Sequence, residues 1–258
     1  MAVDGASTLA AITMALGKYR VAHSTTVAIV PPEHLWPPIQ AARERLRDGG
    51  LTRWPPHVNL IYPFVEPPYF ERFAERFAPA VAQCAPFRVR LERLGVFGSS
   101  RRGVVWLDPV VVGAADGERP WARLHERLCA VAPELQSPGR PFVPHMTITH
   151  TESCDAAREI ADELGAEWAA AGLAVEFDVQ EVFILCRSSA TEPFRLAWRL
   201  PLGEGAPAPR ADPRAFESMP TPSSLNWRPR ERESLHAKMR AAYRARQARC
   251  RASEDGSS

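Results

Sequence analysis

Apolar positions recur along the chain in two rhythms, every second residue and every third or fourth, and these divide most of it into strands and helices. A β-rich run at 25–30 closes on Pro31-Pro32 and predicts a strand, and helix formers over 38–48 end at Gly49-Gly50. Residues 57–65, closed by Pro67-Pro68, predict a strand, and Phe70, Phe73, Phe77 and Val81 place a helix over 69–84. Phe87, Val89 and Leu91 alternate with charged residues, predicting a half-buried strand over 87–97 that turns through 98–103 into another at 104–112. The order then recurs. Trp121, Leu124, Leu128 and Val131 mark a helix over 120–135, a strand follows at 142–149, and Ile160, Leu164 and Trp168 mark a helix over 156–171. Strands at 173–185 and 194–200 complete it. Strand, helix, strand, helix and a strand pair, twice over, predicts a duplicated, bilobal α+β fold.

Within that repeat two stretches match residue by residue. Residues 55–61 read Pro-Pro-His-Val-Asn-Leu-Ile, and residues 143–149 read Val-Pro-His-Met-Thr-Ile-Thr. Side chains of an extended strand alternate between faces, so His57 shares a face with Asn59, and His145 with Thr147, while Val58, Leu60, Met146 and Ile148 point away. Two such strands brought together offer two imidazoles and two hydrogen-bonding groups to one anion. A single strand histidine is most often structural; its repetition in equivalent places argues for a site. His150 alternates onto the face opposite His145, which disfavours a metal site built from His57, His145 and His150, and no metal ligand set is expected.

Composition adds boundaries. The 258 residues suit one domain with a sizeable core, and 45% hydrophobic with 24% charged residues is ordinary for a globular chain. A net charge of +2 names no partner. Its distribution does: residues 203–225 are rich in Pro, Gly, Ala and Ser and predict a linker, while 226–258 hold arginine at 228, 230, 232, 240, 244, 246, 249 and 251 plus Lys238. Leu235, Met239 and Tyr243 recur every four residues there, predicting a basic helix over about 232–249. Such a segment tracks phosphates of RNA or docks on a ribonucleoprotein; the competing reading is a solvated tail. Residues 1–24 form a leader of no assigned role, mildly apolar but without a basic start, so a poor secretory signal. Five scattered cysteines without a Cys-x-x-Cys pair favour a reducing, intracellular compartment, the cytoplasm first, with organelle and nucleus left open. No apolar run reaches the length of a membrane span, and a monomer is expected.

With its two His-centred strands, the chain resembles the 2H phosphoesterase superfamily, including the 2'-5' RNA ligase-like and cyclic phosphodiesterase branches, over residues 25–202. His145-Met146-Thr147-Ile148 fits the family's His-x-Thr/Ser-x motif fully; His57-Val58-Asn59-Leu60 departs at its third position, where Asn replaces the hydroxyl residue. The resemblance implies two antiparallel sheets flanking a central cleft with helices outside. It also implies phosphodiester chemistry without a cofactor, on RNA ends or nucleotides bearing a 2',3'-cyclic phosphate, with reversible 2'-5' ligation as a related activity. On that reading His57 and His145 are general acid and base, in an order the sequence leaves open, and Asn59 and Thr147 donate to phosphoryl oxygens. Trp54, Tyr62, Phe97, Trp106 and Phe142 are candidates to stack a base, against a core role for each, and Arg187 is a candidate phosphate contact. The alternative, kept open by Asn59, is a module that binds a nucleotide or RNA in the same cleft without turning it over.

Overall fold

In chain order the strands are β1 (Val21–Ala22), β2 (Thr25–Ile29), β3 (Val58–Ile61), β4 (Phe64–Val65), β5 (Phe87–Ser99), β6 (Arg102–Val111), β7 (Met146–Thr151), β8 (Val175–Val179), β9 (Glu181–Cys186), β10 (Arg195–Pro201) and β11 (Arg210–Arg214). Four helices accompany them among the described residues: α1 (Pro37–Arg45), α2 (Phe70–Ala82), α3 (Pro120–Val131) and α4 (Cys154–Ala170). The structure, a computed structural model, describes residues 19–115, 117–135 and 141–225, and beyond them 241, 244, 245, 248 and 249.

Two antiparallel sheets dominate an α+β fold. One has the order β11-β10-β9-β2-β3 and the other β7-β6-β5-β8, while β1 and β4 make a short ribbon. The halves are therefore interleaved rather than consecutive. The first sheet takes β2 and β3 from the start of the chain and β9 to β11 from its end, so the lobe carrying His57 is closed by strands that the repeat assigned to the second half. The residues expected as one strand at 173–185 explain how. Val175, Phe177 and Val179 are buried at odd positions, then Val182 and Ile184 at even ones. A shift of one residue turns every side chain to the other face, and the chain changes sheets at Gln180, with β8 pairing β5 and β9 pairing β2.

Apolar faces meet between the layers. The stripe Phe70, Phe73, Phe77 and Val81 of α2 is buried, and α2 packs against β10 and α3, while α4 lies across β5 and β6. Ser153 caps α4 by accepting the Ala156 N–H at 3.1 Å. A second, smaller cluster covers the other face of the five-stranded sheet: Ala28, Val30, Trp36, Leu185, Phe194, Leu196 and Phe216.

Both flanks of the expected domain extend further than composition indicated. The leader assigned to 1–24 lies outside the described residues up to 18, but Tyr19 packs edge-on to Phe73 and β1 pairs with β4. The linker assigned to 203–225 contains β11, which pairs with β10, and Phe216, which sits against Trp36. An aromatic ring that can be buried outweighs the local abundance of proline and glycine. The basic helix expected over about 232–249 falls almost wholly outside the described residues; Arg244, which is among them, pairs with Glu159 of α4 at 2.8 Å. No helix among the described residues is long and apolar enough to cross a membrane.

Candidate active site

Each matched strand occupies a sheet edge, β3 in the five-stranded sheet and β7 in the four-stranded one, and these two edges meet. His57 and His145 sit one residue before the strands begin, each released from the ladder by the proline in front of it, which has no N–H to offer. Their rings are fixed in the same way. Nδ1 of His57 donates to the Pro55 carbonyl at 2.7 Å, and Nδ1 of His145 donates to the Val143 carbonyl at 2.8 Å. A carbonyl only accepts, so Nδ1 carries the proton and Nε2 is left as the unprotonated nitrogen of each neutral ring. The structure brings the two imidazoles close enough that charge on His145 acts on His57.

The environments of the two rings differ. Burial, above all, pushes the His57 pKa down to about 4; the Arg43 guanidinium and His145 add to the fall, against the Pro55 hydrogen bond and the Asp48 carboxylate. Trp54 stacks on the His57 ring at 4.6 Å and 15°, and Phe194 lies beyond Trp54 at 3.9 Å. His145 is met edge-on by Phe97 at 5.0 Å and by Trp106 at 6.1 Å. Gly95 makes room there, since a Cβ at that position would stand 2.3 Å from the Trp106 ring.

The third residues of the two motifs also differ. Asn59 donates from Nδ2 to Nε2 of His57 at 3.1 Å, and its Oδ1 accepts from the Thr26 hydroxyl at 2.6 Å. A directional chain results, from Thr26 through Asn59 and His57 to the Pro55 carbonyl. One amide hydrogen of Asn59 is thereby engaged, and one stays available. Thr147 shows no such engagement: its hydroxyl bonds to nothing among the described residues.

Of the candidate substrate contacts, Trp54, Tyr62 and Arg187 gather beside His57. Tyr62 is edge-on to Trp54 at 5.4 Å and 39% exposed, and the Arg187 guanidinium lies 5.8 Å over Trp54 and 4.8 Å over Phe194. Phe142 does not join them. Its ring stacks on His125 of α3 at 4.1 Å and packs on the main core. It stands three residues before His145, where the chain has not yet entered β7 and strand alternation does not govern it.

Sequence reasoning missed the layer behind the rings. Arg43 and Asp48, each 3% exposed, form a buried ion pair at 2.8 Å, and Arg43 also donates to the Trp54 carbonyl at 2.8 Å. A signal existed: Arg43 falls on the stripe Ile39, Ala42 and Leu46 that buries α1. Nothing marked Thr26, because all five residues of β2 are buried and alternation is silent there. His150 lies 4.0 Å from Asp48. Among the described residues no group of three or more His, Cys, Asp or Glu is placed to hold a metal ion.

The family model of the 2'-5' RNA ligase superfamily matches residues 31–191. Among solved structures, E. coli LigT complexed with 3'-AMP is 19% identical, with 70% of this chain and 98% of that one covered and a TM-score of 0.46. TT0787 of Thermus thermophilus is 19% identical over 70% of this chain and 99% of its own, with a TM-score of 0.45. No curated protein matches the chain.

Proposed function

The chain belongs to the 2'-5' RNA ligase superfamily, and from that premise we propose that it opens 2',3'-cyclic phosphates on RNA ends or nucleotides, with His57 as general base and His145 as general acid. The observation that carries the reading is the matched pair of Nδ1 bonds, which leaves Nε2 of each neutral ring as the nitrogen that can take a proton. A base must be neutral and an acid charged at the moment of transfer. His57, with its pKa held at about 4, is neutral near pH 7, so the acid role falls to His145.

The step runs as an in-line displacement. Water attacks phosphorus while Nε2 of His57 takes its proton. The bond from phosphorus to one ribose oxygen breaks on the opposite side, and Nε2–H of His145 protonates that oxygen as it leaves. A phosphomonoester and a free hydroxyl result, and the histidines exchange protonation states. The Thr147 hydroxyl and the remaining N–H of Asn59 donate to the non-bridging oxygens as charge grows on them. The step calls for no metal. Tyr62, 39% exposed and edge-on to Trp54, offers aromatic surface for a base, whereas Trp54 is already covered by His57 and Phe194. The same opening with a ribose 5'-hydroxyl in place of water as the nucleophile would give the ligation for which the family is named.

The test is incubation of a short RNA ending in a 2',3'-cyclic phosphate, with EDTA present, and identification of the product. A single phosphomonoester is expected, with loss of at least about 10²-fold in rate in His57→Ala and in His145→Ala. Normal turnover in either variant would overturn the assignment. A second reading rests on Asn59: its bond to Nε2 occupies the atom that must take the proton. Tight binding of the cyclic phosphate with no product would favour a nucleotide-binding module.

A further inference from the structure

Two guanidinium groups beside the cleft converge on one acceptor. Arg187 donates from Nη1 to the Ala190 carbonyl at 3.0 Å, and Arg53 donates to the same oxygen at 3.4 Å and to the Gly49 carbonyl at 2.8 Å. Neither has a carboxylate partner among the described residues. The two positive charges therefore face each other with no anion between them, an arrangement that costs free energy in the unliganded protein.

Arg187 is not a solvated surface arginine. Its Nε is buried and donates to nothing, its Nη2 bonds to nothing among the described residues, and its plane lies over the rings of Trp54 and Phe194. Its backbone N–H is tied to the Ser24 carbonyl at 2.9 Å, which fixes it at the end of β9. Burial first, and the charge of Arg53 second, lower the Arg187 pKa. The unpartnered Nη2 of Arg187, with the charge of Arg53 beside it, suits an oxygen of a phosphate. Arg187 and His57 share Trp54 as a neighbour, the guanidinium 5.8 Å and the imidazole 4.6 Å from the indole.

We propose that Arg53 and Arg187 form a second anion subsite, which takes a phosphate on the 5' oxygen of the nucleotide whose cyclic phosphate lies between His57 and His145. The inference rests on the catalytic reading above and narrows it. The preferred substrate carries a phosphate at both ends of one ribose, either as a 5'-terminal monoester or as the diester to a preceding nucleotide.

The experiment is calorimetric titration of the full chain with ligands that resemble product. These are a nucleoside 3'-phosphate, the nucleoside 3',5'-bisphosphate, and a dinucleotide ending in a 3'-phosphate. The bisphosphate or the dinucleotide is expected to bind about tenfold or more tightly than the monophosphate, the strength of a charge-assisted hydrogen bond. That advantage disappears in Arg187→Gln and in Arg53→Gln, and in Arg53→Gln affinity for the monophosphate holds. Which of the two ligands gains more identifies the source as diester or terminal monoester. Arg53→Gln removes a side chain whose two hydrogen bonds lie at the surface, so the test survives misfolding of the Arg187 variant. Equal affinity for all three ligands, or an advantage that persists in a folded variant, overturns the subsite. A chain that binds the bisphosphate through the arginines but opens no cyclic phosphate keeps the subsite and loses the catalytic reading; one that binds none of the ligands loses both.

Discussion

Asn59 donates to Nε2 of His57 at 3.1 Å and is itself held by Thr26. The donor stabilises the neutral ring, because an imidazolium Nε2 carries a hydrogen and repels the amide N–H. Replacing the amide by a carboxylate of equal shape reverses this, since a carboxylate accepts from Nε2–H and stabilises the charged ring. Asn59→Asp is therefore expected to raise the His57 pKa by about one unit or more, seen by proton NMR titration of the imidazole. Thr26→Val, which removes the donor to Oδ1, moves it the same way by less.

The low pKa of His57 also sets the pH dependence of stability. The folded ring titrates at about 4 and the unfolded one near the ordinary 6.5. Between those values the unfolded chain holds a proton that the folded chain does not, so stability falls as pH drops through this window and is fully present above 6.5. Urea denaturation at several pH values is expected to show that decline in the wild type and a flatter line in His57→Gln. If turnover follows the proposed roles, the acid limb of kcat/KM lies near pH 4, well below that of an unperturbed histidine.

Much of this is legible in the sequence, for identifiable reasons. Proline before histidine and alternation after it locate both motifs, and the helical stripe of Phe70, Phe73 and Phe77 places α2. The interleaving of the sheets is written in the phase slip between Val179 and Val182, but a slip inside an apolar run is easily absorbed into one long strand. The continuation past Leu202 is masked because turn residues surround β11 and only Phe216 betrays the burial. Analogy with Thr147 makes Asn59 a phosphate ligand and nothing more. Strand alternation gives the face a side chain shares, not the partner it chooses there, and the nearest partner is the neighbouring imidazole.

Thr147 provides a contrast on the opposite strand. Its hydroxyl bonds to nothing among the described residues, so removing it breaks no internal bond. Thr147→Val is expected to leave the melting temperature within a degree or two, roughly the effect of losing an unpaired, half-buried hydroxyl. The same change lowers kcat by about 10²-fold, as for one lost donor to a developing oxyanion. Parallel thermal melts and kinetics on a cyclic phosphate check both halves.

The ion pair behind the cleft yields the largest expected stability change. Arg43 and Asp48 are both 3% exposed and joined at 2.8 Å, so Asp48→Ala strands a guanidinium in the interior at a cost of about 3–5 kcal/mol. Arg43 has a further task. It donates to the carbonyl of Trp54, the residue whose indole lies against His57. Replacing both partners with apolar residues, Arg43→Met with Asp48→Leu, removes the stranded charge and is expected to recover much of that loss in urea denaturation. The double variant leaves the Trp54 carbonyl without its donor, so the stack on His57 loosens and turnover stays low although the fold returns. Recovery of stability without recovery of rate separates holding the ring in place from holding the protein together; recovery of both would show that Arg43 serves the fold alone.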